Sequence, residues 1–182
     1  MSSEHDEAQR AVAYTHGEAA ARRASTVLAA CVSWGCVAEV NHVHGSIVSI
    51  DFGGATRYGV RSVTNLTLDM LAWRLCNVTG KTVLASEFSS TQMHAKLQVL
   101  VGAYLTNITA SEMNPVDLTL KFSTGHCLLT FDHCDTFPDD FETGDDFAAS
   151  LPDAYCAWWI APTREEYLCC CPGGHLYIET YL

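Results

Sequence analysis

The stretch VDLTLKFSTGHCLLTF, residues 116–131, decides how this chain is read. Apolar and polar residues alternate along 116–122, residues 126–131 form a second, largely apolar strand run, and Ser123-Thr124-Gly125 between them has the composition of a tight turn, so the stretch predicts an antiparallel hairpin. Its centre has an earlier counterpart. Lys121-Phe122-Ser123-Thr124-Gly125 answers Asp51-Phe52-Gly53-Gly54, about 70 positions before it, each at the end of an apolar strand and the start of a turn. Further on, Ala157-Trp158-Trp159-Ile160 answers Ala72-Trp73-Arg74-Leu75 at a separation of about 85. The offset grows where residues 132–153 intervene. The expected fold is therefore α+β, a tandem repeat of two helix-plus-antiparallel-sheet units, mostly β with an N-terminal helix. Residues 1–34 are expected to hold that helix, 35–88 the first β repeat, and 89–182 a helix plus the second β repeat with an acidic insertion at 132–153, all in one compact chain.

Local patterns fill in the rest. Residues 4–31 are rich in Glu, Ala, Gln and Arg, which predicts one helix, with Gly17 as its weak point and Ala11, Tyr14, Ala21, Val27 and Leu28 as its apolar stripe. From Gly35 the period changes to two, predicting a hairpin around Gly45 that ends at Phe52, and a third strand over 56–63. Strands are expected at 72–76 and 82–85, a helix at 89–101 with Met93, Leu97 and Leu100 on one side, and strands at 102–110, 154–160, 167–171 and 175–181. Trp158 and Trp159 must point to opposite faces of their strand; alignment with Trp73 puts Trp158 in the core, and alignment with Arg74 puts Trp159 outside.

The 182 residues are 48% hydrophobic and carry a formal net charge of −11, which supports a packed core and argues against a protein that grips phosphate backbones. No direct nucleic-acid partner and no membrane span are expected, since no run approaches the roughly eighteen apolar residues that a spanning helix needs. Nine cysteines cannot all pair within one chain, and read as buried thiols they imply a reducing cytoplasm. Three Asn-x-Thr sequons, at Asn65, Asn77 and Asn107, and a Leu28-Ala29-Ala30-Cys31 box point the other way. Only about four residues separate Arg23 from Leu28, too few for the apolar region of an export signal.

Leu100-Val101-Gly102, Phe122 with Gly125, Ala157-Trp158 and Gly173-Gly174 together resemble a family of small bacterial domains of unknown function related to immunity proteins of polymorphic toxin systems. The first half matches through Phe52, Gly53-Gly54 and Ala72-Trp73-Arg74-Leu75. Apart from Arg74, the matching positions are aromatic, aliphatic or turn glycines. What the resemblance implies is a non-enzymatic cytoplasmic protein that binds and neutralises another protein.

The candidate partner surface is the acidic segment, with Asp135, Asp139, Asp140, Glu142, Asp145 and Asp146 interleaved with phenylalanines, together with Trp159. Carboxylates with aromatic anchors suit a basic site on a partner protein, a toxin or a nucleic-acid-binding protein. The plainer reading is a solvated loop, and a calcium loop is disfavoured because the acidic spacing lacks the EF-hand pattern. The alternative function is small-molecule or nucleotide sequestration in a pocket between the repeats lined by Tyr58, Trp73, His126 and Trp159. No cofactor and no metal are expected: His126-Cys127, His133-Cys134 and Cys169-Cys170-Cys171 with His175 lack the close ligand pairs of zinc sites, and His42 with His44, which share a strand face and could take part in a metal site, read more plainly as surface histidines beside the Gly45 turn. A hydrolase using Cys127 or Cys134 with His133 is the best enzymatic reading, without a motif to single it out. Self-association through sheet edges is the remaining expectation.

Overall fold

The computed structural model describes residues 12–43, 46–53, 64–69, 71–131, 156–163, 166–171 and 175–181. In chain order the elements are β1 (Val12–His16), α1 (Gly17–Cys31), β2 (Val37–His42), β3 (Val48–Phe52), β4 (Asn65–Leu68), β5 (Ala72–Cys76), β6 (Thr82–Ala85), α2 (Ser90–Leu97), β7 (Leu105–Ala110), β8 (Leu118–Phe122), β9 (Cys127–Phe131), β10 (Trp158–Ala161), β11 (Glu166–Cys170) and β12 (Leu176–Tyr181). The fold is mixed α+β, with two antiparallel sheets and more strand than helix.

The N-terminal helix starts later than its composition suggests. Val12–His16 pairs antiparallel with β12, and Gly17 at φ 64 turns the chain from strand into helix. The β-branched Val12 and Thr15 accept a strand once β12 offers a ladder, which overrides the local helix preference. The buried stripe of α1 is Ala20, Ala24, Val27, Leu28 and Cys31, so Ala21 falls on the exposed side. The expected third strand at 56–63 lies outside the described residues, while β4, read in the sequence only as a sequon, is a strand paired with both β3 and β10.

One sheet runs β1-β12-β11-β10-β4-β3-β2 and the other β6-β5-β9-β8-β7. Each sheet therefore takes strands from both sides of residue 88. The chain leaves β4 and crosses into the second sheet, where β5 pairs with β9; it leaves β9 and crosses back, where β10 pairs with β4. Matching details accompany this exchange. A register shift interrupts β2–β3 between Val37 and Glu39, and another interrupts β7–β8 between Leu105 and Asn107. Gly53 N–H donates to Cys36 O at 2.8 Å, and Ser123 N–H donates to Tyr104 O at 2.8 Å. Cys36 and Tyr104 themselves form an antiparallel bridge between the two runs.

A single core cluster draws from both sheets and both helices. Its largest fully buried side chains are Trp73 and Trp158, and each indole reaches the turn ahead of a strand in the opposite sheet. Trp73 Nε1–H donates to Ser46 O at 2.7 Å, and Trp158 Nε1–H donates to Pro115 O at 3.1 Å. Burying a ring this large is affordable only because its one polar group is satisfied.

Thr130 on β9 is 2% exposed, accepts a hydrogen bond from Leu118 N–H at 2.7 Å and donates one to Val116 O at 2.7 Å. Thr130→Val keeps the shape but strands both backbone groups, so it is expected to cost about 1–3 kcal/mol in urea unfolding. Gly125 closes the β8–β9 hairpin at φ 80, and a Cβ there would stand 2.4 Å from Val78 Cγ1. Gly125→Ala is expected to lower stability by about 1–2 kcal/mol, read from the same measurement, because left-handed backbone and contact with Val78 are both unfavourable.

Candidate functional site

β10 carries the aromatic residue that the sequence placed outside. Trp158 points into the core, while Trp159, opposite Thr67 of β4 and Cys169 of β11, lies half-buried on the other face of the seven-stranded sheet. On β5, Arg74, which the sequence aligned with Trp159, is exposed, with its guanidinium 5.5 Å from the ring centre of Phe131.

Around Trp159 the outer face gathers Cys169, Cys171 and Tyr177, with Cys156 and Tyr167 packed against them. Strand alternation explains the selection: Cys169 and Cys171 share this face, whereas Cys170 points into the main core. Cys156 Sγ and Tyr177 Oη are 3.0 Å apart. Hydrogen bonds from Cys169, Cys171 and Tyr177 hold the Cys156 thiol below the usual thiol range. Sharing those protons with Cys156, together with burial, pushes Cys169 and Cys171 up; burial first, then the neighbouring thiols, raises Tyr177. This cluster escaped the sequence reading, which weighed the cysteine triplet only as zinc ligands. The signal was present in the i, i+2 spacing of Cys169 and Cys171, but nothing local announces Cys156 as their neighbour.

On its other face β11 is tied to α1. Arg23 Nε and Nη2 donate to the two carboxylate oxygens of Glu166 at 2.9 and 3.0 Å, a bidentate pair that holds the helix against the sheet.

The acidic residues Asp135, Asp139, Asp140, Glu142, Asp145 and Asp146 lie outside the described residues, as does Tyr58. The other three residues of the expected pocket do not converge. Trp73 is 0% exposed, with its indole N–H donated to Ser46 O and its ring between the two sheets. Trp159 stands on the first sheet. His126, at the foot of the β8–β9 hairpin, has Nδ1 3.0 Å from Thr124 Oγ1 and borders an open groove of about 660 Å³ between β6 and α2. Lys96 spans that groove, donating from Nζ to Val83 O at 3.0 Å and lying 5.0 Å from the ring centre of Phe88.

Among the described residues no group of three or more His, Cys, Asp or Glu is arranged to hold a metal ion. His44, His133 and Cys134 lie outside them. Cys127 is raised by burial, which favours the unreactive thiol. Two sequons have structural work instead: Asn65 Nδ2 donates to Ser49 Oγ and Asp51 Oδ1, both at 2.8 Å, and Asn77 Oδ1 accepts from the backbone of Thr79 and Lys81, both at 3.0 Å. Asn107 is exposed on β7. Among the described residues no helix is long and apolar enough to cross a membrane.

Comparison with known proteins finds no matching family model, no matching curated protein and no matching solved structure.

Proposed function

We propose that this chain is a non-enzymatic acidic binding protein, of the immunity or inhibitor kind, that covers a basic site on a partner protein with residues 132–153 and Trp159. The observation that carries the reading is the position of Trp159. Its ring is half-exposed on the outer face of β10, and in the sequence it follows the acidic segment closely, six positions after Asp153, so an aromatic anchor and a run of carboxylates are neighbours along the chain. Eight acidic residues without a single Lys or Arg across 132–153 supply long-range attraction, and steric occlusion supplies the inhibition. The compartment that goes with this reading is the cytoplasm, which suits the eight cysteines that stand outside disulfides among the described residues.

The architecture we propose beneath it is a tandem repeat whose halves have exchanged their later strands. Support comes from the matched register shifts, the paired Cys36 and Tyr104, and the reciprocal indole hydrogen bonds of Trp73 and Trp158. The functional reading is tested by affinity capture with the wild-type chain and with Asp139, Asp140, Asp145 and Asp146 reversed to Lys. Capture of a basic protein that the reversed chain loses supports it, and equal capture by both overturns it.

A further inference from the structure

The outer face of β10–β12 brings three sulfur atoms and a phenol together in one packed group, and the proposed binding role makes no use of them. Cys156 is the half-buried member, and Cys169 and Cys171 behind it are each 4% exposed. The β10–β11 ladder explains the meeting. Trp158 is opposite Cys170 and Ala157 N–H donates to Cys170 O at 2.7 Å, so Cys156 stands at the ladder's end beside the side of β11 that bears Cys169 and Cys171. Tyr177 on β12 closes the group, its hydroxyl 3.0 Å from Cys156 Sγ.

We propose that Cys156 is an oxidation-sensitive thiol that forms a reversible disulfide with Cys169 or Cys171 after reaction with a hydroperoxide. The Cys156 thiolate attacks one peroxide oxygen; the S–O bond forms as the O–O bond breaks, the sulfur is oxidised to a sulfenic acid, and the peroxide is reduced, leaving hydroxide or alkoxide that takes up a proton. The sulfur of Cys169 or Cys171 then attacks Cys156; the S–S bond forms, the S–O bond breaks, and the hydroxide departs as water with the attacking thiol's proton. The environment favours Cys156 as the attacking sulfur, because the surrounding donors stabilise its thiolate. Burial has the opposite effect on Cys31, whose thiol is pushed up to about 12, and on Cys127.

The full chain, freed of reductant, is treated with equimolar hydrogen peroxide and mapped by non-reducing peptide mass spectrometry. The expected product has lost two hydrogens and joins the peptide of Cys156 to that of Cys169 and Cys171; a thiol reductant restores the starting mass. C156S removes this product, either single variant C169S or C171S retains it, and the double variant leaves a sulfenic acid at Cys156 that dimedone traps. Circular dichroism identifies any variant that fails to fold. Independently of the variants, iodoacetamide is expected to label Cys156 of the wild type about tenfold faster than Cys36 or Cys127. First oxidation at another cysteine, or equal labelling of Cys156 and Cys36, overturns the proposal.

Discussion

Trp158→Ala lowers the free energy of unfolding by about 3–5 kcal/mol in urea titration, the value expected when a buried aromatic ring is removed from a core that cannot close over the gap. The ring is 0% exposed, and β10 is fixed on both sides, by β4 through Leu68 and by β11 through Cys170, so neither neighbour is free to collapse inward. Loss of the indole also leaves Pro115 O without the donor 3.1 Å away, on a turn that leads into the other sheet. Against a typical total of about 5–15 kcal/mol, such a loss puts the variant close to unfolding at ambient temperature. Trp158→Phe separates the two contributions: it keeps most of the apolar volume and gives up the N–H donor. A loss below about 1 kcal/mol for Trp158→Ala would show that the ring does not tie the sheets together.

Reversal of Asp139, Asp140, Asp145 and Asp146 to Lys is expected to weaken partner capture by roughly a hundredfold or more, with the unfolding curve unchanged. Each reversal adds two charge units to a chain whose formal net charge is −11, and all four fall within one short acidic run. Attraction to a basic site becomes repulsion over the same distance, and the effect shrinks as salt shortens the screening length to about 8 Å at physiological ionic strength. Capture at low and moderate salt therefore distinguishes electrostatic recognition from adhesion through the interleaved phenylalanines. Trp159→Ala is the companion measurement. Because that ring is half-exposed, its removal costs far less stability than the loss of Trp158, while an anchor at the centre of an interface is worth about 2 kcal/mol or more of binding. Unchanged affinity in both variants would remove the acidic segment and Trp159 from the contact surface.

Short-range pattern was enough to find the β2–β3 and β8–β9 hairpins, the helix that begins at Ser90, and the opposite destinies of Trp158 and Trp159. Each follows from a period of two or of 3.6 within a few residues. The pattern misled where a distant partner decided the outcome. Val12–His16 sits in helix-forming composition but becomes a strand because β12 lies beside it, and Asn65–Leu68 is too short to announce itself without β3 and β10. The same limit hid which sheet β5 and β10 would join, since either hairpin could satisfy its own alternation in either place. The thiol group at Cys156 required a ladder register between residues more than ten positions apart, which composition does not contain. The carboxylates of the acidic segment, by contrast, are visible in the sequence and lie outside the described residues.

The crossing of the chain between sheets also sets the order in which the molecule can be completed. During synthesis the edge of β4 that will receive β10 has to wait while some ninety residues are made, and β5 waits for β9 over a shorter interval. Until residues 158–161 emerge from the ribosome, a nascent chain carries an unfilled apolar strand edge, open to chaperones and to neighbouring chains alike. A truncation anywhere before β10 therefore leaves the first sheet open at its middle, and its expected fate is aggregation rather than a smaller folded protein.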